Sequence, residues 1–185
     1  AVRLANAFIK LDELDMAYKT YRKAQSLGTT DFHYQFANLQ GMRRDYQGMV
    51  ESFLELLHKT PTYLRTVQNS LNRNLRLQTE PENGEMVRTE LLKAAQRYPD
   101  DTIFPEMLVW YFTQEKDFSS AFIHARSLDL RSKGIGLNIM ELGNTAAAND
   151  DLETAMDCYG YVAAKGVGSP YFFTARNELL QVRFY

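Results

Sequence analysis

The stretch LGNTAAANDDLETAMDCY, residues 142–159, repeats the pattern of LANAFIKLDELDMAYKTY, residues 4–21, which lies 138 positions earlier. Each opens on Leu-small-Asn, reaches acidic residues at its ninth position and closes on Ala-x-x-x-Tyr. Neither carries an arrangement that does chemistry by itself, so the recurrence points first to architecture.

The closing pair recurs between the two copies. Ala17 and Tyr21 are followed by Met49 and Phe53, Val87 and Leu91, Ala121 and Ala125, then Ala155 and Tyr159, in steps of 32, 38, 34 and 34 residues. Twelve residues ahead of these anchors stand Ala5, Ala37, Val109 and Gly143, and only the third unit breaks that spacing. Apolar residues fall at helical intervals within a unit, as in Leu4, Phe8 and Leu11, then Leu14, Ala17, Tyr21 and Ala24. The polar junctions DELD (12–15), RRDY (43–46), EKDF (115–118) and NDDL (149–152) separate the two runs. An Asp just ahead of a hydrophobe in each predicts a cap for the second helix. Small residues at the anchors let antiparallel helices approach to roughly 8–10 Å.

A unit of 34 residues with Leu-Gly in its first helix and Ala-x-x-x-aromatic in its second resembles the tetratricopeptide repeat. The Leu-Gly position is held by Leu4-Ala5, Phe36-Ala37, Leu108-Val109 and Leu142-Gly143, and the next aromatic position by Phe8 and Phe112. Gln40 and Ala146 depart from that aromatic, and the closing proline survives only as Pro61 and Pro99. The resemblance implies an all-α fold: an α-solenoid of about five antiparallel helix-turn-helix repeats wound as a right-handed superhelix. The repeats fall at approximately 1–29, 30–61, 62–101, 102–135 and 136–169, with an extra helix at 170–185, in a single array.

The third unit is irregular. Its helices are expected at 62–77 and 84–98, separated by a longer acidic loop, QTEPENG, that Pro81 and Gly84 punctuate. The last helix, opened by Ser169 and Pro170, has a wide apolar face of Phe172, Phe173, Ala175, Leu179, Leu180 and Val182. A terminal repeat ordinarily shows a polar outer face. Either more repeats follow it in a longer parent or it packs on a neighbour, a homodimer included.

Composition excludes several classes. A net charge of −2 and a pI near 6.0 give no drive toward nucleic acid or an anionic membrane. The longest apolar run, MLVWYF at 107–112, is far too short to insert in a bilayer. One cysteine, Cys158, forbids an internal disulfide. It suits a reducing compartment such as the cytoplasm and leaves a periplasmic or membrane-anchored parent open. The opening AVRLANAF already lies within a helical pattern, so the chain reads as a fragment of a longer one.

No catalytic or cofactor site is expected. KGIG (133–136) and KGVG (165–168) follow second helices, where glycine favours a left-handed cap rather than a phosphate loop. His33, His58 and His124 share no metal-ligand spacing, and the acidic junctions lack the glycine and terminal glutamate of a calcium loop.

The resemblance places the first helices on a concave groove, with the residue after the Leu-Gly position facing into it. Here that residue is Asn6, Asn38 and Asn144, with Asn69 by a shifted register in the third unit and Trp110 in the fourth. An asparagine ladder can grip an extended peptide backbone, because each amide both donates and accepts. The alternative is that these amides satisfy neighbouring helices, and that Trp110 is core. Arg65, Asn69, Asn72 and Arg73 share a helix face in the third unit, either a small cationic strip suited to carboxylates or a solvated helix face. The family's clamp for chaperone C-termini is not matched, since Val2 and Gln35 stand where it has a Lys and an Asn. The expected function is therefore a non-catalytic scaffold for a partner protein or peptide. The alternatives are a peptide-responsive regulatory module and a structural spacer or dimerisation arm.

Overall fold

The computed structural model describes residues 1–28, 31–77 and 79–183. It is all-helical, with eleven α-helices and one 3-10 turn among the described residues. These fall into two compact units, Ala1–Arg97 and Tyr98–Tyr185.

In the first unit, α1 (Val2–Lys10) pairs with α2 (Leu14–Leu27), and α3 (His33–Met42) with α4 (Tyr46–Lys59). A 3-10 turn at Pro61–Tyr63 leads into α5 (Leu64–Leu75), and α6 (Pro81–Arg97) completes the unit. Both α5 and α6 pack on α4. In the second unit, α7 (Ile103–Gln114) packs on α8 (Phe118–Ser132), and α8 on α9 (Leu137–Ala147). Next, α9 packs on α10 (Leu152–Ala164), and α10 on α11 (Phe172–Arg183). The expected boundary at 29/30 and the end of the last helix at 184–185 lie outside the described residues.

The anchors sit where close packing needs them: Ala5, Ala17, Ala37, Met49, Ala121 and Ala155 are all fully buried. Gly143 shows the constraint most directly. A Cβ there would lie 2.8 Å from Tyr159 Cε1 and 2.9 Å from Cys158 Cβ. In the first unit an aromatic cluster joins α2 to α3, with Tyr21 meeting Phe32 at 5.3 Å and Phe36 at 6.1 Å between ring centroids.

The four short junctions turn in the same way. Asp12, Arg44, Lys116 and Asp150 are all left-handed, with φ between 58° and 64°. The next N–H bonds five residues back, from Glu13 to Phe8, Asp45 to Gln40, Asp117 to Phe112 and Asp151 to Ala146, at 2.9–3.0 Å. This closes the last turn of each first helix without glycine. The residue that makes that bond then caps the next helix. Asp45, Asp117 and Asp151 accept from the N–H of Gly48, Ser120 and Thr154 at 3.0–3.1 Å. In DELD the cap position falls on Glu13, which makes no such bond, and Asp15 lies inside the first turn of α2. The longer glutamate side chain fits the cap poorly. Asp151→Ala should therefore cost about 1 kcal/mol, and Glu13→Asp should gain up to a similar amount, both read by urea unfolding.

Three expectations need correction. Pro81 opens α6 rather than interrupting the chain, because proline at a first helical position gives up an N–H that had no partner. Gly84 lies inside that helix, so the third-unit loop is shorter than expected, and Gln78 within it lies outside the described residues. The last helix starts at Phe172, not at 170; Ser169 instead ties its hydroxyl to the Ile135 carbonyl at 2.9 Å. In KGIG the left-handed cap of α8 is Lys133, with φ 51°, not a glycine. Gly136, at φ 89°, begins α9, and a Cβ on Gly134 would collide with the Asp129 carboxylate.

Candidate functional site

Two of the asparagines singled out by the repeat are tied across their own helix pairs. Asn144 accepts from the Tyr159 hydroxyl at 2.8 Å, and Asn6 from Tyr21 at a longer 3.4 Å. These are the Asn and Tyr that open and close the recurring pattern, 15 residues apart in each copy. In the second pair Phe53 stands at the tyrosine's place and has no hydroxyl. Asn38 instead donates to the Tyr34 carbonyl at 2.7 Å. The amides of Asn6 and Asn144 lie at the exposed rim of their hairpins, while Asn38 is half-buried.

The fourth pair inverts this arrangement. Trp110 occupies the asparagine's place and Ala125 the tyrosine's. Tyr159 fills the space between its helices, whereas Ala125 is small and buried, and a cavity of about 540 Å³ is lined by both Trp110 and Ala125. Along α7 and its N-cap its wall is Thr102, Glu106, Val109, Trp110 and Thr113, spaced as one helix face. From α9 come Leu137, Asn138, Glu141, Leu142 and Thr145. The floor is the end of α8 with the KGIG turn. Trp110 is half-buried, neither sealed in the core nor open to solvent.

A polar network ties the floor together. Asp129 accepts from the Gly136 N–H at 3.0 Å and the Tyr161 hydroxyl at 2.9 Å, and pairs with Lys165. Lys165 in turn donates to the Gly134 carbonyl at 2.9 Å and lies 5.0 Å from the Tyr161 ring centre. Hydrogen bonding to Asp129 raises the pKa of Lys165 above its ordinary value, and burial, with the hydrogen bond to Asp129, raises that of Tyr161. Burial also raises the Glu106 carboxyl, which keeps a side-chain hydrogen bond with Thr102.

Of the residues expected to bind, only Trp110 lines this cavity. Asn144 belongs to α9 but not to the cavity wall. Arg65, Asn69 and Arg73 lie exposed on α5, at i, i+4 and i+8, in the first unit with Asn6 and Asn38. Glu106 and Glu141 were missed. The four-residue step from Glu106 to Trp110 was legible as one helix face, but nothing marked that face as open.

Cys158 and His124 lie in packed surroundings, and His33 in a polar cluster. Burial pushes the Cys158 thiol up to about 12, so it stays protonated at neutral pH. His124 stacks on Phe112 with centroids 5.5 Å apart, and burial lowers its pKa. His33 bridges to Asp31 at 3.1 Å. Among the described residues no group of three or more His, Cys, Asp and Glu is placed to hold a metal. No helix there is long and apolar enough to cross a membrane. No family model matches the chain, and no curated protein matches it.

Proposed function

We propose that this chain is a non-catalytic scaffold that holds a partner polypeptide, with the groove between α7 and α9 as its principal contact. The observation that carries this reading is the replacement of the Asn–Tyr filler by Trp110 and Ala125, which leaves an aromatic anchor beside an open cavity. Large aromatics in partly desolvated pockets dominate binding energies at interfaces. The finer architecture, an α-solenoid of tetratricopeptide-like repeats, draws support from the four identical left-handed turns and the three aspartate caps. A nucleic-acid partner is disfavoured by the charge balance.

The test is capture from native lysate, read by mass spectrometry. A partner held by the unaltered protein should weaken about thirtyfold with Trp110→Ala, the loss typical of an interface anchor. Asn6→Ala, Asn38→Ala and Asn144→Ala combined should weaken it less, since two of these amides are engaged within their own hairpins. A partner retained at full strength by both variants would move the contact to the outer faces or α11.

A second reading has one observation behind it. On α11, Phe173 is 75% exposed and Leu180 51%, one face of a helix otherwise packed on α10. Self-association through that face predicts a light-scattering mass that Phe173→Asp reduces to the monomer's.

A further inference from the structure

The α7–α9 groove has a sign. Among the described residues three acids line it, Glu106, Asp129 and Glu141, and no Lys, Arg or His does. Asp129 is already matched by Lys165, Tyr161 and the Gly136 N–H. Glu106 and Glu141 are not matched by any cation in the wall. Arg131, near the end of α8, donates to the carbonyls of Pro99 and Asp100.

We infer that the groove takes a basic side chain of its partner: an arginine stacked on Trp110, with its guanidinium shared by Glu106 and Glu141. The inference rests on the scaffold reading above and names the chemistry of its ligand. Glu106 precedes Trp110 by one helical turn, so a carboxylate and an indole face share one side of α7. Across the groove Glu141 stands between Asn138 and Thr145, polar groups that suit the backbone of an extended segment. A planar guanidinium is the cation that best satisfies both walls, stacking on an aromatic face while donating to carboxylates. Charge-assisted bonds of this kind are roughly twice as strong as neutral ones. Glu106 is half-buried, so its charge is partly desolvated before the partner arrives, which sharpens the preference for a cation. A cavity of 540 Å³ accommodates one such side chain with its neighbouring backbone.

The single tryptophan makes the test direct, because emission excited beyond the absorption of the tyrosines comes from Trp110 alone. The probes are the pentapeptide acetyl-Ala-Ala-Arg-Ala-Ala-amide, its citrulline counterpart, which keeps the shape and loses the charge, and its glutamate counterpart. The arginine peptide should shift Trp110 emission saturably and bind about tenfold more tightly than the citrulline peptide. That preference should vanish in the Glu106→Gln, Glu141→Gln double variant, whose helicity and melting temperature should match the parent's. Equal binding of the citrulline or glutamate peptide would overturn the inference and leave the groove as a contact. Emission unmoved by all three peptides would overturn it too. Lysate capture that depends on Trp110 would then still uphold the scaffold.

Discussion

Replacing Tyr159 by alanine should cost about 3–5 kcal/mol of stability, the range for truncating a buried aromatic, whereas Tyr159→Phe should cost only about 1 kcal/mol. The gap separates the two things this side chain does. Its ring is 1% exposed and wedged against Gly143, so removing it leaves a void that two helices cannot close. Its hydroxyl donates to Asn144 at the rim, where water can replace it. Gly143→Ala approaches the same contact from the other side. The added Cβ meets the ring at 2.8 Å and the Cys158 Cβ at 2.9 Å, neither of which can swing away, and overpacking should cost about 1–3 kcal/mol. Urea unfolding of the three variants at neutral pH checks the order. If Tyr159→Phe proved as damaging as Tyr159→Ala, the hydrogen bond rather than the ring would hold the hairpin.

The same residues show what a sequence can and cannot disclose. Small anchors and the aspartates of RRDY, EKDF and NDDL were legible, because backbone approach and helix capping depend on residue type at fixed local spacing. The hydrogen-bond partners of Asn6 and Asn144 were not. Their pairing with Tyr21 and Tyr159 spans two helices, and an exposed amide looks the same whether it awaits a ligand or serves its own fold. Pro81 was misread for a related reason: proline ends one helix and begins another with equal ease, and only the packing of α6 on α4 decides between them. The groove was legible only in halves. Trp110 is the single tryptophan, yet the cavity beside it is shared with Ala125, fifteen residues on, where Tyr21, Phe53 and Tyr159 stand in other units.

Asp129→Ala should be the most damaging polar substitution in the second unit, at about 3 kcal/mol, because it strands partners rather than merely losing them. The Asp129 side chain is only 11% exposed and the Lys165 side chain 22%, so the ammonium left behind cannot fully rehydrate. The Gly136 N–H and the Tyr161 hydroxyl lose their acceptor at the same time. Asp129→Asn keeps an acceptor but not the charge, and should fall between the two. The pH dependence has a definite direction. Lys165 holds its proton more tightly when folded, so its contribution is complete below the unfolded lysine value of about 10.4 and is lost as pH rises through the higher folded value. Tyr161 is raised as well, and a folded state that retains the phenol proton also loses stability above roughly pH 10. Both effects weaken the protein in alkali and neither acts in acid. Unfolding midpoints compared at about pH 8 and about pH 11 should fall steeply for the parent and more gently for Asp129→Ala, which has already lost the partner that sustains the Lys165 shift and part of the Tyr161 shift. An equal alkaline loss in the two proteins would mean that Asp129 does not hold the floor of the groove, and the preorganised site above it would lose its footing.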